Sequence, residues 1–248
     1  MRNWLVAIFV LALAIGGLAI AGAARNVAGQ SSPDRSAPPV AVELFTSQGC
    51  SSCPPADALL ARLARDPNVV AITLPVTLWD RLGWRDTLAR SENTSLQQAY
   101  AARIGGGSGV YTPQAVVQGG AAEVGSDYRA LEALIAAAHA RGGPAMTIVP
   151  TGDGGRAITI SGTARRPATL TPVALRSSVL VSIGRGENTG HSVRYTNVVL
   201  GERVIGDWTG GTAHFAVNAR LVHFPDAYRA TFLLRQGDAG PILAARYL

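Results

Sequence analysis

The chain has 248 residues, 48% of them apolar and 6% aromatic, enough for one large domain or two ordinary ones with a real core. Its net charge of +6 rests on Arg alone, with no Lys anywhere, and residues such as Arg62, Arg65, Arg81, Arg129, Arg176 and Arg235 are scattered rather than clustered. Read with the abundance of Ala and Gly, that distribution reflects coding bias, and it excludes the basic stripe of a nucleic-acid interface.

At the N-terminus, Arg2 precedes an apolar stretch from Trp4 to Ala24, and Ala21-Gly22-Ala23 supplies the small residues that a signal peptidase reads. Residues 1–24 are therefore expected to be a signal peptide, cleaved after Ala23 or Ala24. The stretch is also long enough to span a bilayer, so an uncleaved membrane anchor through residues 4–24 is the alternative. Either way the remainder is expected to be exported, periplasmic or secreted, in an oxidising compartment where disulfides persist. Residues 25–38, rich in Ser, Pro, Gly and Ala, read as a flexible linker.

Next comes the apolar run Val40 to Phe45, which reads as a buried strand. The chain's two cysteines follow at once, in Cys50-Ser51-Ser52-Cys53. Pro54 to Ala64 reads as a helix, with Leu59, Leu60 and Leu63 at helical spacing and Asp57 in the first turn, where it complements the dipole. Val69 to Val76 is a second strand, and a loop around Trp79-Asp80 and Gly83-Trp84 follows. A helix is expected over Asn93 to Arg103, then a hairpin of Ala115 to Gln118 and Ala121 to Val124 about the turn Gly119-Gly120. Ser126 is the expected cap of a helix running to Ala140. This order is that of the thioredoxin core, and Thr112-Pro113 opens the third strand where thioredoxin-like folds carry a cis-proline.

Beyond Gly142-Gly143-Pro144 the helical period disappears. Met146–Pro150, Ala157–Gly162, Val173–Ile183, Arg194–Val199, Val204–Trp208, Ala213–Val217, Arg229–Arg235 and Ile242–Tyr247 all read as strands between Gly, Pro, Asp or Asn turns. The expected fold is thus an α/β thioredoxin-like domain over 39–142, followed by an all-β, sandwich-like domain over 143–248.

Both thiols fall where a strand ends and a helix begins. Unsatisfied N–H groups there favour a thiolate, and the pair can cycle between dithiol and disulfide. Cys50, expected to be the exposed sulfur, is the candidate nucleophile, and Cys53 is the resolving thiol. The helix is expected to begin at Pro54, after a tight turn through the two cysteines. Ser51 and Ser52 can donate hydrogen bonds toward the sulfur. Glu43, a carboxylate inside an apolar strand, is a candidate proton acceptor behind the pair if it is buried. Pro113 and Thr112 would shape the site, and Trp79 would wall a substrate groove. No cofactor is expected.

Two other readings of the cysteines stay open. A disulfide across two intervening residues closes a short loop and stabilises little, yet it can serve to fix a turn. A metal or copper site would need partners among His139, His191, His214 and His223, none of which shows paired ligand spacing.

The stretches VELFTSQGCSSCPPAD (Val42 to Asp57), WDRLGW (Trp79 to Trp84), VYTPQAVV (Val110 to Val117), the Gly-Glu-Asn turn from Gly186 onward to Val199, and GPILAA (Gly240 to Ala245) together resemble a family of exported bacterial thioredoxin-like proteins of unknown function. The likeness covers residues 40 to 248 and implies a thioredoxin-like fold with a dithiol at Cys50 and Cys53. One departure stands out: Pro75 and Thr77 occupy positions where similar members often carry a His and an Asp, and Leu78 replaces an aromatic. The resulting expectation is an exported thiol–disulfide oxidoreductase whose partner is a protein or small-thiol disulfide. The alternative is a binding or structural module in which the disulfide only holds a loop.

Overall fold

Seven consecutive buried residues, Val40–Thr46, make the central strand of the molecule. The computed structural model describes residues 38–104, 109–223 and 226–248. The leader or anchor expected over 1–24, and all of the 25–38 linker but its last residue, lie outside them.

In chain order, β1 (Val40–Thr46) leads to α1 (Pro54–Leu63), β2 (Val69–Pro75), a 3-10 turn at Thr77–Leu82 and α2 (Ser91–Ile104). The hairpin β3 (Gln114–Val117) and β4 (Ala121–Val124) precedes α3 (Tyr128–Arg141). Next are β5 (Ala145–Pro150), β6 (Arg156–Gly162), the long β7 (Ala168–Ser182), β8 (Ser192–Glu202), β9 (Gly206–Trp208) and β10 (Gly211–Val217). The strands β11 (Arg229–Arg235) and β12 (Ile242–Tyr247) close the fold. α3 is capped by Asp127, whose carboxylate accepts the Ala130 N–H at 3.0 Å, rather than by Ser126.

The expected partition into a thioredoxin-like α/β domain and a separate all-β domain is not what forms. Strand accounts for 41% and helix for 23% of the described residues, and one mixed, nine-stranded sheet runs in the order β12-β11-β7-β8-β2-β1-β3-β4, with β9 also paired to β7. The physical reason lies at β2. All seven of its residues are buried, so it must be covered on both faces and paired on both edges. One edge pairs in parallel with β1; the other receives β8, also in parallel, at Thr73↔Val198. The Thr73 hydroxyl donates to Thr196 O at 2.5 Å, and Asn197 Nδ2 donates to Ala71 O at 3.0 Å and to the Tyr247 hydroxyl at 2.8 Å. Sequence periodicity reports that such strands exist, not which edge they join.

Side chains alternate across β1 and sort the core. Val40, Val42 and Leu44 pack with Ala56, Leu59, Leu60 and Leu131 of α1 and α3. Ala41 and Phe45 point the other way, to Tyr100 of α2 and to Val173, Leu175, Leu233 and Ile242. A second, three-stranded sheet, β10-β6-β5, covers the far strands through Ile158, Ile160, Trp208, Phe232 and Leu234. β1 and β2 therefore lie in the middle of the molecule, and the turn after β1 opens at the sheet's end beside the β7–β8 connection.

Candidate functional site

Cys50 and Cys53 form a disulfide, with their Cα atoms 5.4 Å apart. The turn is built from Cys50 N–H to Ser47 O and Cys53 N–H to Cys50 O, both 3.2 Å. Cys53 is the N-cap of α1, and the helix begins at Pro54 as the sequence implies. Prolines at the first two helical positions are tolerated because an N–H there has no intrahelical partner. Ser51 and Ser52 are exposed, and the Ser52 hydroxyl lies 3.4 Å from Cys50 Sγ. The sulfur expected to be exposed is not: Cys50 retains 3% of its surface, and Cys53 none.

Three further expected residues sit together nearby. The Thr112–Pro113 peptide bond is cis, Pro113 is buried, and Trp79 Nε1 donates to the Thr112 hydroxyl at 2.7 Å. Trp79 also presses on the cysteine turn. A Cβ added at Gly49 would lie 3.0 Å from Trp79 Cβ, so glycine permits that approach.

Glu43 is buried but faces away from the dithiol's helix. It lies on the same face of β1 as Ala41 and Phe45. There it pairs with Arg235 Nη2 of β11 at 2.6 Å and accepts the Tyr100 hydroxyl at 2.6 Å, while Arg235 also donates to Tyr100. Its partners make it a structural ion pair joining β1, α2 and β11.

The buried acid on the dithiol side is Asp57, one helical turn after Cys53, whose N–H donates to Cys53 O at 3.1 Å. Asp57 is 3% exposed, and both carboxylate oxygens, like the Thr46 hydroxyl, are buried without a hydrogen bond. Burial drives its carboxyl well above the usual carboxylate range; the adjacent Thr46 hydroxyl opposes that, and the charge of Asp86 adds to it. Asp86 itself is raised by burial, against the N–H groups of Gln48 and Leu88, which donate to it at 2.8 Å each.

The roof over the disulfide comes from two loops far away in the chain. Gln48 is held by the loop after the 3-10 turn: Trp84 Nε1 donates to its side-chain oxygen at 2.9 Å, and its amide donates to the Thr87 hydroxyl at 3.1 Å. From the β7–β8 turn, the buried Asn188 Nδ2 donates to Gln48 O and to Cys50 O, both at 2.9 Å. Glu187 Oε2 accepts the Ser51 N–H at 3.2 Å. Trp84 packs on the glycines of that turn, since a Cβ at Gly184 would sit 3.3 Å from its ring. Sequence reading missed Asp57 as a buried acid, and Asn188 and Glu187 as neighbours of the cysteines. Their signals were present, in Pro-Pro-Ala-Asp and in the Gly-Glu-Asn turn, but separations of 136 to 140 residues hid the second.

A family of proteins of unknown function (DUF1223) has a model that matches residues 41–233. The crystal structure of protein AGR_C_4864 from Agrobacterium tumefaciens is 30% identical and superposes with a TM-score of 0.72, covering 84% of this chain and 93% of that one. HBP35 of Porphyromonas gingivalis, 14% identical, reaches a TM-score of 0.54 over 86% of this chain and 75% of that one, a likeness of fold alone. No curated protein matches the chain.

Proposed function

We propose that this chain, which belongs to the DUF1223 family of proteins of unknown function, is a thiol–disulfide oxidoreductase working through Cys50 and Cys53, with Asp57 as the proton relay of the inner thiol. In the dithiol form, the Cys50 thiolate attacks one sulfur of a partner disulfide. A mixed disulfide forms, and the other partner sulfur leaves as a thiolate that takes up a proton from water. The Cys53 thiol then passes its proton to the Asp57 carboxylate and attacks the Cys50 sulfur. That closes the protein disulfide and releases the second partner sulfur as a thiolate, protonated in turn. Two electrons move from protein to partner; the reverse sequence, with Asp57 giving its proton to Cys53, re-reduces the pair.

Asp57 is the observation that carries this reading. A carboxyl enclosed without a hydrogen bond costs stability, and a disulfide that merely held a turn would have no use for one. Its raised pKa moves it toward that of a thiol, which suits proton exchange between the two. The apolar stretch Trp4–Ala24 supports an exported setting, with a protein or small-thiol disulfide met there as the partner.

The competing reading, a structural module, draws on the near-complete burial of Cys50 and the Asn188 clasp. Trapping separates the two. Cys53→Ala, expressed as the full chain in its own host, is expected to accumulate mixed disulfides through Cys50. If the adducts are absent, as in a Cys50→Ala control, the oxidoreductase reading fails. Asp57→Asn is expected to slow closure of the mixed disulfide by about 10²-fold, the scale of one general acid–base group.

A further inference from the structure

A cysteine at a helix N-terminus is ordinarily drawn toward its thiolate by the unpaired N–H groups of the first turn. In this chain those donors are largely gone. The first two helical positions are Pro54 and Pro55, which have no N–H. Cys53 N–H is bonded to Cys50 O, and the N–H groups of Ala56 and Asp57 are bonded to Cys53 O at 2.9 and 3.1 Å. The Ser51 N–H is taken by Glu187 Oε2 at 3.2 Å. The Ser52 hydroxyl lies 3.4 Å from Cys50 Sγ.

Glu187 therefore acts twice. It occupies a backbone donor next to Cys50, and it brings a full negative charge to the same place. No ion pair neutralises it among the described residues. The other ionisable groups on the segments packed here are Asp57 and Asp86, whose carboxyls burial raises above the usual range, Asp80, which accepts the Asp86 N–H at 3.0 Å, and the exposed Arg81, Arg85, Arg185 and His191, none of which pairs with Glu187.

Resting on the oxidoreductase reading, we propose that Glu187 is a positioning residue that sets the direction of exchange: by opposing a Cys50 anion it disfavours the dithiol, so the pair gives electrons to a partner disulfide rather than withdrawing them from partner thiols. An oxidising pair is one whose reduced form is stabilised, and Glu187 does the opposite. In the productive step the protein dithiol becomes a disulfide while the partner disulfide becomes two thiols. An external dithiol donor then restores the protein.

Full-length protein equilibrated in glutathione redox buffer, with the dithiol fraction read by alkylation and mass, tests this. Glu187→Gln keeps an acceptor for the Ser51 N–H and removes only the charge. It is expected to shift the equilibrium constant roughly twofold to fivefold toward the dithiol, the scale of one solvent-screened charge. It is also expected to lower the pH midpoint of Cys50 alkylation in the reduced protein. Glu132→Gln, on the exposed face of α3, is expected to change neither. An unchanged equilibrium and midpoint, or a shift toward the disulfide, overturns the proposal. Missing adducts in Cys53→Ala would instead sink the oxidoreductase reading while leaving the Glu187 shift measurable.

Discussion

Asp57 and Glu43 are both carboxyls with 3% or less of their surface exposed, yet only Glu43 has partners. That difference predicts opposite outcomes for two conservative changes. Because burial raises the folded pKa of Asp57 above its unfolded value, the folded state holds a proton that the unfolded chain has released. Stability is therefore lost as pH rises above about 4, where the unfolded carboxyl ionises, until the folded pKa is reached. Asp57→Asn removes this penalty. It is expected to melt higher than the parent at pH 7, by about 1 kcal/mol or roughly 2–4 °C, with the difference vanishing near pH 3. A variant that melts lower at pH 7 would show that the carboxylate has a partner there. Glu43→Gln works the other way. It leaves Arg235 charged, enclosed and unpaired, at a cost of about 3–5 kcal/mol, while the rate of exchange at Cys50 in the folded protein stays near the parent's. An equal loss of exchange rate would return Glu43 to the dithiol. Strand alternation gave no way to rule Glu43 out, because it says that successive side chains of β1 face opposite ways, not which face looks on the cysteines.

The β7–β8 turn is the element that makes the site more than a dithiol on a helix. One buried amide, Asn188 Nδ2, satisfies the carbonyls of Gln48 and Cys50 together. Asn188→Ala leaves the Gln48 carbonyl unpaired and the Cys50 carbonyl with only the Cys53 N–H, and is expected to destabilise the fold by about 1–3 kcal/mol. It should also speed reduction of the disulfide by a bulky phosphine more than reduction by a small thiol, because the sulfur loses part of its cover. Equal acceleration by both reductants would mean that the turn does not control access. The local elements around this site were legible: β1, the turn through both cysteines, the start of α1 at Pro54 and the hairpin before α3 all follow from apolar runs, prolines and paired glycines. The clasp was not. Asn188 sits in a polar turn whose composition is that of any surface loop, and its role exists only once β8 has joined β2.

At the scale of the molecule, that junction makes the two halves of the chain depend on one another. β2 is buried along its whole length, and β8 covers the edge that β1 leaves. Tyr247, at the far end of the sequence, accepts the Ala71 N–H at 2.9 Å and donates to Ala71 O at 3.0 Å, so even the last strand is tied to β2. Cutting the chain after residue 142 would strip β2 of its outer neighbour and remove Val173, Leu175, Leu233 and Ile242 from the core around Phe45 and Tyr100. The cut would also leave Glu43 without Arg235, and the carbonyls of Gln48 and Cys50 without Asn188. These losses include a bared sheet edge, a broken core and an unpaired buried acid, and marginal stability of about 5–15 kcal/mol cannot absorb them together. A 38–142 fragment is therefore expected to be unfolded by circular dichroism, with its disulfide open to thiol reductants, while the full chain melts in one transition followed identically by far-UV signal and by Trp fluorescence. A fragment that folds cooperatively and protects its disulfide would show that the dithiol half stands alone, and would make the β-rich half a covering rather than a part of the site.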